Sequence, residues 1–75
     1  MNTQLDTKVK NRIGETMRVR FGKEKPILSE AIYRDTLGVP KKTFRKYVNN
    51  EAQPRIDELT RIAKWLNVSI NDLIQ

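Results

Sequence analysis

Cysteine and histidine are absent from this sequence, and only Ser29 and Ser69 supply serine hydroxyls. These absences exclude disulfide staples, the usual zinc ligands, thiol redox chemistry and the Ser-His and Cys-His nucleophile pairs. Carboxylates are present but nowhere clustered at coordinating spacing, so no metal or cofactor is expected and the chain reads as a non-enzyme. Glycine occurs only at 14, 22 and 38, too scattered for a phosphate-cradling loop. No apolar run approaches the roughly 18 residues of a transmembrane helix, and the start MNTQLDTKVK lacks the apolar block of a signal peptide. A cytoplasmic location without a membrane partner is therefore expected. At 75 residues with 37 % hydrophobic side chains, the chain has room for one small core and one domain.

Basic charge is abundant. Fifteen Lys and Arg against nine acids leave a formal charge of +6, and the sequence pI is about 10.0. The excess is lopsided: residues 1–50 hold 12 basic and 5 acidic side chains, residues 51–75 hold 3 and 4. Such a balance suits a nucleic-acid partner, but taken alone it also suits a solvated face, anionic lipid or an acidic protein.

The apolar pattern is helical throughout. Leu5, Val9, Ile13, Met17 and Phe21 recur every four positions and predict a first helix over about residues 7–21, with Lys8, Lys10, Arg12, Arg18 and Arg20 on the other side. Gly22 suits its C-cap. Ser29 suits the N-cap of a second, short helix carrying Ala31, Ile32, Tyr33 and Leu37, and Gly38 ends it. Three residues later a third helix begins after Pro40, whose missing N–H would be unpaired there in any case. Phe44, Tyr47 and Val48 share its inward side, while Lys41, Lys42, Arg45, Lys46 and Asn49 fan across the outward side. Beyond a loop at 49–54, Ile56, Leu59, Ile62, Ala63 and Leu66 define a fourth helix with Asn67 as C-cap. Ser69 and Asp72 then open a last short helix that offers Ile70, Leu73 and Ile74 to the core or to a partner.

Over residues 29–49 this is helix, glycine turn, helix, with a one-sided polar second helix. A B-DNA major groove is wide enough for one protruding helix, and basic and amide side chains reach phosphates and purine edges. Through the stretches YRDTLGVPKKTFRKYVNN and PRIDELTRIAKWLNVSINDL, residues 9–73 resemble the phage-repressor, Cro or XRE-type helix–turn–helix family, the lambda-repressor-like domains. The resemblance implies an all-α, compact five-helix DNA-binding domain over residues 8–75, preceded by a flexible N-terminal arm at 1–7. It implies that the third helix reads double-stranded operator DNA through Lys41, Lys42 and Lys46, with Arg45 and Asn49 on the same surface. Lys23, Lys25, Ser29, Thr43 and Asn50 are expected at phosphates. Three positions depart from the family pattern: Arg34 stands where a small residue is usual, Glu30 where Gln often touches phosphate, and Pro40 where Ser or Thr often caps.

Members of this class commonly pair so that two such helices meet successive turns of DNA. Trp65, Ile70 and Ile74 are the candidate homodimer patch, the alternative for Trp65 being half-burial against the first helix or the arm. The functional expectation is a sequence-specific prokaryotic or phage transcriptional regulator, in simplest form a repressor, with no ligand-sensing segment evident. A protein-interaction module, or the antitoxin of a toxin–antitoxin pair, would use the same fold.

Overall fold

The structure, a computed structural model, describes residues 11–23 and 27–74. Its elements in chain order are α1 (Ile13–Phe21), α2 (Ile32–Leu37), α3 (Lys41–Val48), α4 (Ile56–Leu66) and a 3-10 turn (Ile70–Asp72). The described residues contain no strand; Asn11 and Ile74 form an isolated antiparallel bridge. No helix among them is long and apolar enough to cross a membrane.

Helix α1 begins where Asn11 Oδ1 accepts the Ile13 N–H at 3.0 Å and ends where the Gly22 N–H bonds to the Arg18 carbonyl at 2.8 Å. Ile13 is fully buried, Met17 half-buried and Phe21 36 % exposed, so the apolar stripe rolls outward along the helix. Leu5, Val9 and the arm expected at 1–7 lie outside the described residues.

Ser29 caps α2 as its sequence position suggests: its Oγ accepts the Ile32 N–H at 3.3 Å. The helix then widens into a π-helix over Ile32–Leu37, and the N–H groups of Gly38 and Val39 both bond to the Tyr33 carbonyl. Side-chain periodicity predicts an ordinary short helix here. Widening to i→i+5 bonds brings residues four apart nearer to one side, and Tyr33 and Leu37 are both buried. Gly38 then reverses the chain at φ 75°, a left-handed conformation natural to glycine.

Pro40 sits at the N-cap of α3, where its carbonyl accepts the Phe44 N–H at 2.9 Å and its lack of an N–H costs nothing. Phe44 and Tyr47 are buried and Val48 half-buried, the inward side expected. In α4, Leu59, Ile62, Ala63 and Leu66 are buried, but Ile56, in the first turn, is 69 % exposed. The Arg55 N–H donates to Glu58 Oε1 at 3.0 Å at the start of α4, and Asn67 ends it at φ 60°.

Where a fifth helix is expected from Ser69, the chain makes one 3-10 turn. The Ser69 N–H still donates to Asp72 Oδ2 at 3.1 Å. The helix does not continue because the next backbone groups are committed elsewhere: the Leu73 carbonyl accepts the Arg12 N–H at 2.7 Å and Ile74 bridges Asn11. Leu73 enters the core fully buried, and Ile74 is 43 % exposed.

Helix α4 packs chiefly against α2, while α1 packs on α3 and α4. A chain of rings ties all four helices together. Tyr33 meets Phe44 at 5.9 Å, Phe44 meets Trp65 at 6.0 Å, both edge-on, and Trp65 meets Phe21 at 5.4 Å. Each such pair is worth roughly 0.5–1.5 kcal/mol beyond the area it buries. At Gly14 the backbone of α1 approaches α3 so closely that a Cβ there would lie 3.2 Å from the Val48 carbonyl oxygen.

Candidate nucleic-acid interface

Helix α3 is held by its two buried rings, and burying a large apolar side chain contributes about 1.5–3 kcal/mol. Tyr47 adds polar anchors on both sides. Its hydroxyl donates to Glu58 Oε1 at 2.7 Å, and its carbonyl accepts from Asn11 Nδ2 at 2.9 Å. Burial, reinforced by the adjacent Glu58 carboxylate, pushes the Tyr47 phenol up to about 12. The end of the helix is closed by the Lys46 carbonyl, which accepts the Glu51 N–H at 2.8 Å and the Ala52 N–H at 3.3 Å.

With the inward side so fixed, the outward side follows from the 3.6-residue period. Lys41, Lys42, Arg45, Lys46 and Asn49 are all exposed, and together with Glu51 they border one shallow concavity of about 580 Å³. Among the described residues none of the four cations enters an ion pair; the pairs formed are Arg12–Glu15, Arg34–Asp35, and Arg55 with Asp57 and Glu58. The first turn of α3 holds no acid. Two lysines at a helix N-terminus oppose the helix dipole, by about 0.3–1 kcal/mol each at an exposed site. An arriving phosphate turns that repulsion into attraction for both the lysines and the free N–H groups.

None of the other described positions expected from the sequence lines this concavity. Thr43 is half-buried on α3, and Lys23 is exposed just after α1. Ser29 has its hydroxyl on the Ile32 N–H. Asn50, at φ 60°, accepts the Asn11 N–H and a Gln53 Nε2 hydrogen, both at 3.0 Å, so its side chain ties the start of α1 to the loop after α3. Lys25 lies outside the described residues. Arg34 turns outward onto Asp35, with Nε 3.0 Å from Oδ1, which accommodates a long side chain where a small one is usual. Glu30 and Pro40 are exposed beside the turn.

Trp65 is half-buried, its ring against Phe21 of α1 and Phe44 of α3. Ile70 is half-buried, and Ile74 keeps part of its surface open.

Two residues escape the sequence reading. Glu51 joins the rim of the α3 concavity, and its signal was available: it is the only acid between Asp35 and Asp57. Asn11 carries no such mark. It is 3 % exposed and bonds Tyr47, Asn50, Gln53 and Ile13 at once, a polar hub inside what reads as a basic stretch.

A glycine turn joins two short helices, the second presenting an exposed basic face and the first braced from behind by a longer helix. That arrangement is a helix–turn–helix. Residues 23–75 match the family described as Cro/C1-type HTH DNA-binding domain, and the chain belongs to that family. It is thus a DNA-binding domain of a regulatory kind, not of an enzyme family. No curated protein and no solved structure matches it.

Proposed function

We propose that this domain binds double-stranded DNA sequence-specifically as a transcriptional regulator, in simplest form a repressor that occupies its operator. The observation that carries this reading is the exposed row of Lys41, Lys42, Arg45 and Lys46 on the second helix of the motif, which forms no ion pair among the described residues. Helix α3 enters the major groove. Lys41, Lys42, Arg45, Lys46 and Asn49 meet base edges, with Arg45 best shaped for a bidentate grip on guanine O6 and N7. Glu51, on the same rim, has the chemistry to accept from cytosine N4. Lys23, Lys25, Ser29 and Thr43 take the role of phosphate contacts, with Asn50 reaching one through its backbone as well as bracing the loop. Two copies sit on two half-sites, joined through Ile70 and Ile74 with the edge of Trp65.

The test is selection from a random duplex library at physiological ionic strength, the native chain beside an Arg45→Ala, Lys46→Ala variant. The expected outcome is an enriched motif that the variant loses, because each good bidentate contact discriminates by about 1–3 kcal/mol. No enrichment with the native chain overturns sequence-specific readout and favours a protein-docking role for the same face.

A further inference from the structure

A second concavity lies on the inner flank of α3, where that helix meets α1 and the segment leading into α2. It has a volume of about 300 Å³, at the lower end of small-molecule sites, which run roughly 300–1,000 Å³. Met17, Leu28 and Val48, all half-buried, make its walls, and the buried rings of Tyr33 and Phe44 lie beneath. Lys41, Arg45 and Asn49 complete the lining, all three exposed, and no acid is among the described residues that line it. A trough of mixed character, with apolar walls on one side and two cations and an amide along the other, fits a short apolar body carrying one anionic head.

We propose that this cleft binds a freely diffusing small amphiphilic carboxylate, its apolar part between Met17, Leu28 and Val48 and its carboxylate on Arg45 and Lys41. Lys41, Arg45 and Asn49 follow each other at intervals of four, so they form one row along α3. The same row borders the outer concavity assigned to DNA. A carboxylate in the cleft therefore draws on cations that DNA also uses, and ligand and DNA weaken each other by the same factor. This coupling rests on the DNA-binding reading; occupancy of the cleft does not.

The experiment is an amide-resolved NMR titration of the free protein with sodium 2-naphthoate, with sodium acetate as the headgroup-only control. Saturating shifts confined to the residues around Met17, Leu28, Val48 and Asn49 are expected with naphthoate and not with acetate. Arg45→Gln, an exposed change that leaves the core alone, is expected to weaken naphthoate about fivefold, the order an accessible ion pair is worth. Met17→Trp, which fills the trough, is expected to abolish the saturable shifts. Shifts that rise linearly for both salts, that spread over the other basic faces, or that persist at full strength in Arg45→Gln overturn the site. Saturable binding without any loss of DNA affinity keeps the site and overturns the coupling, and separates its failure from that of the DNA-binding reading.

Discussion

Tyr47 shows how a single residue can serve structure on the inner side of a helix whose outer side carries a row of exposed cations. Its hydroxyl donates to the Glu58 carboxylate at 2.7 Å inside the protein, and hydrogen bonds to charged groups are worth about 1.5–3 kcal/mol. Tyr47→Phe is expected to lose that amount at neutral pH, read by urea denaturation. The pH dependence is specific. Burial beside Glu58 raises the phenol from its ordinary value of 10.0 to about 12 in the folded protein, so the folded state favours the neutral ring. That stabilisation is fully present below pH 10 and is lost as pH climbs toward 12, by about 1.4 kcal/mol per pH unit within the window. The stability gap between the native chain and Tyr47→Phe should accordingly be constant from pH 7 to 9 and narrow above pH 10. A gap that stays level to pH 11 contradicts the buried Tyr47–Glu58 bond. Residues of this kind were only partly legible. The apolar spacing turns Tyr47 inward, but nothing in one sequence pairs it with Glu58 eleven positions later, nor marks Asn11 as the buried amide that links α1, α3 and the following loop.

At the scale of elements, periodicity located all four helices and their inward sides, because apolar spacing reports directly which side faces the core, but it ran the first from about residue 7, whereas Asn11 is held in the bridge to Ile74 and α1 starts only at Ile13. It did not foresee the π-helical bonding of α2, since that change lies in backbone carbonyls and not in side-chain type. It placed Ile56 with the buried stripe of α4, yet that side chain stands 69 % exposed in the helix's first turn. It also extended the chain's end into a helix that long-range pairing with Asn11 and Arg12 cuts to one turn. The turn between α2 and α3 was the most legible feature, and it carries a clear expectation. Gly38 holds φ 75°, and a Cβ there would meet Arg61 Nη1 at 2.8 Å. The arginine is exposed and can swing aside, so the backbone term dominates, about 1–2 kcal/mol for a non-glycine residue in the left-handed region. Gly38→Ala should lower Tm by roughly 4–16 °C, taking 4–8 °C per kcal/mol for a domain of this size. Because the exposed side chains of α3 are untouched, the DNA motif preferred under the proposed readout should not change. An unaltered Tm would mean that the turn does not need its left-handed residue.

Across the whole molecule, the ring chain Tyr33–Phe44–Trp65–Phe21 explains how so small a core holds four helices and a cationic face at once. It also bears on assembly. With most of Trp65 engaged inside its own chain, the apolar surface left for a second copy near the C-terminus is the 43 % exposed Ile74 beside half-buried Ile70 and the open edge of Trp65, small next to the roughly 800 Å² per partner of a stable interface. Pairing should therefore be weak in free solution and be completed on DNA, where two half-sites one helical turn apart hold two copies at high effective concentration. The expected results are a monomer by sedimentation at micromolar concentration, a palindromic motif with half-sites about 10–10.5 base pairs apart, and cooperative filling of the two. Ile74→Glu sets like charges against each other in a symmetric contact. It should leave affinity for an isolated half-site unchanged while abolishing cooperativity on the full site. Cooperativity that survives Ile74→Glu would move the contact to another surface, and a motif without symmetry would make the monomer the working unit.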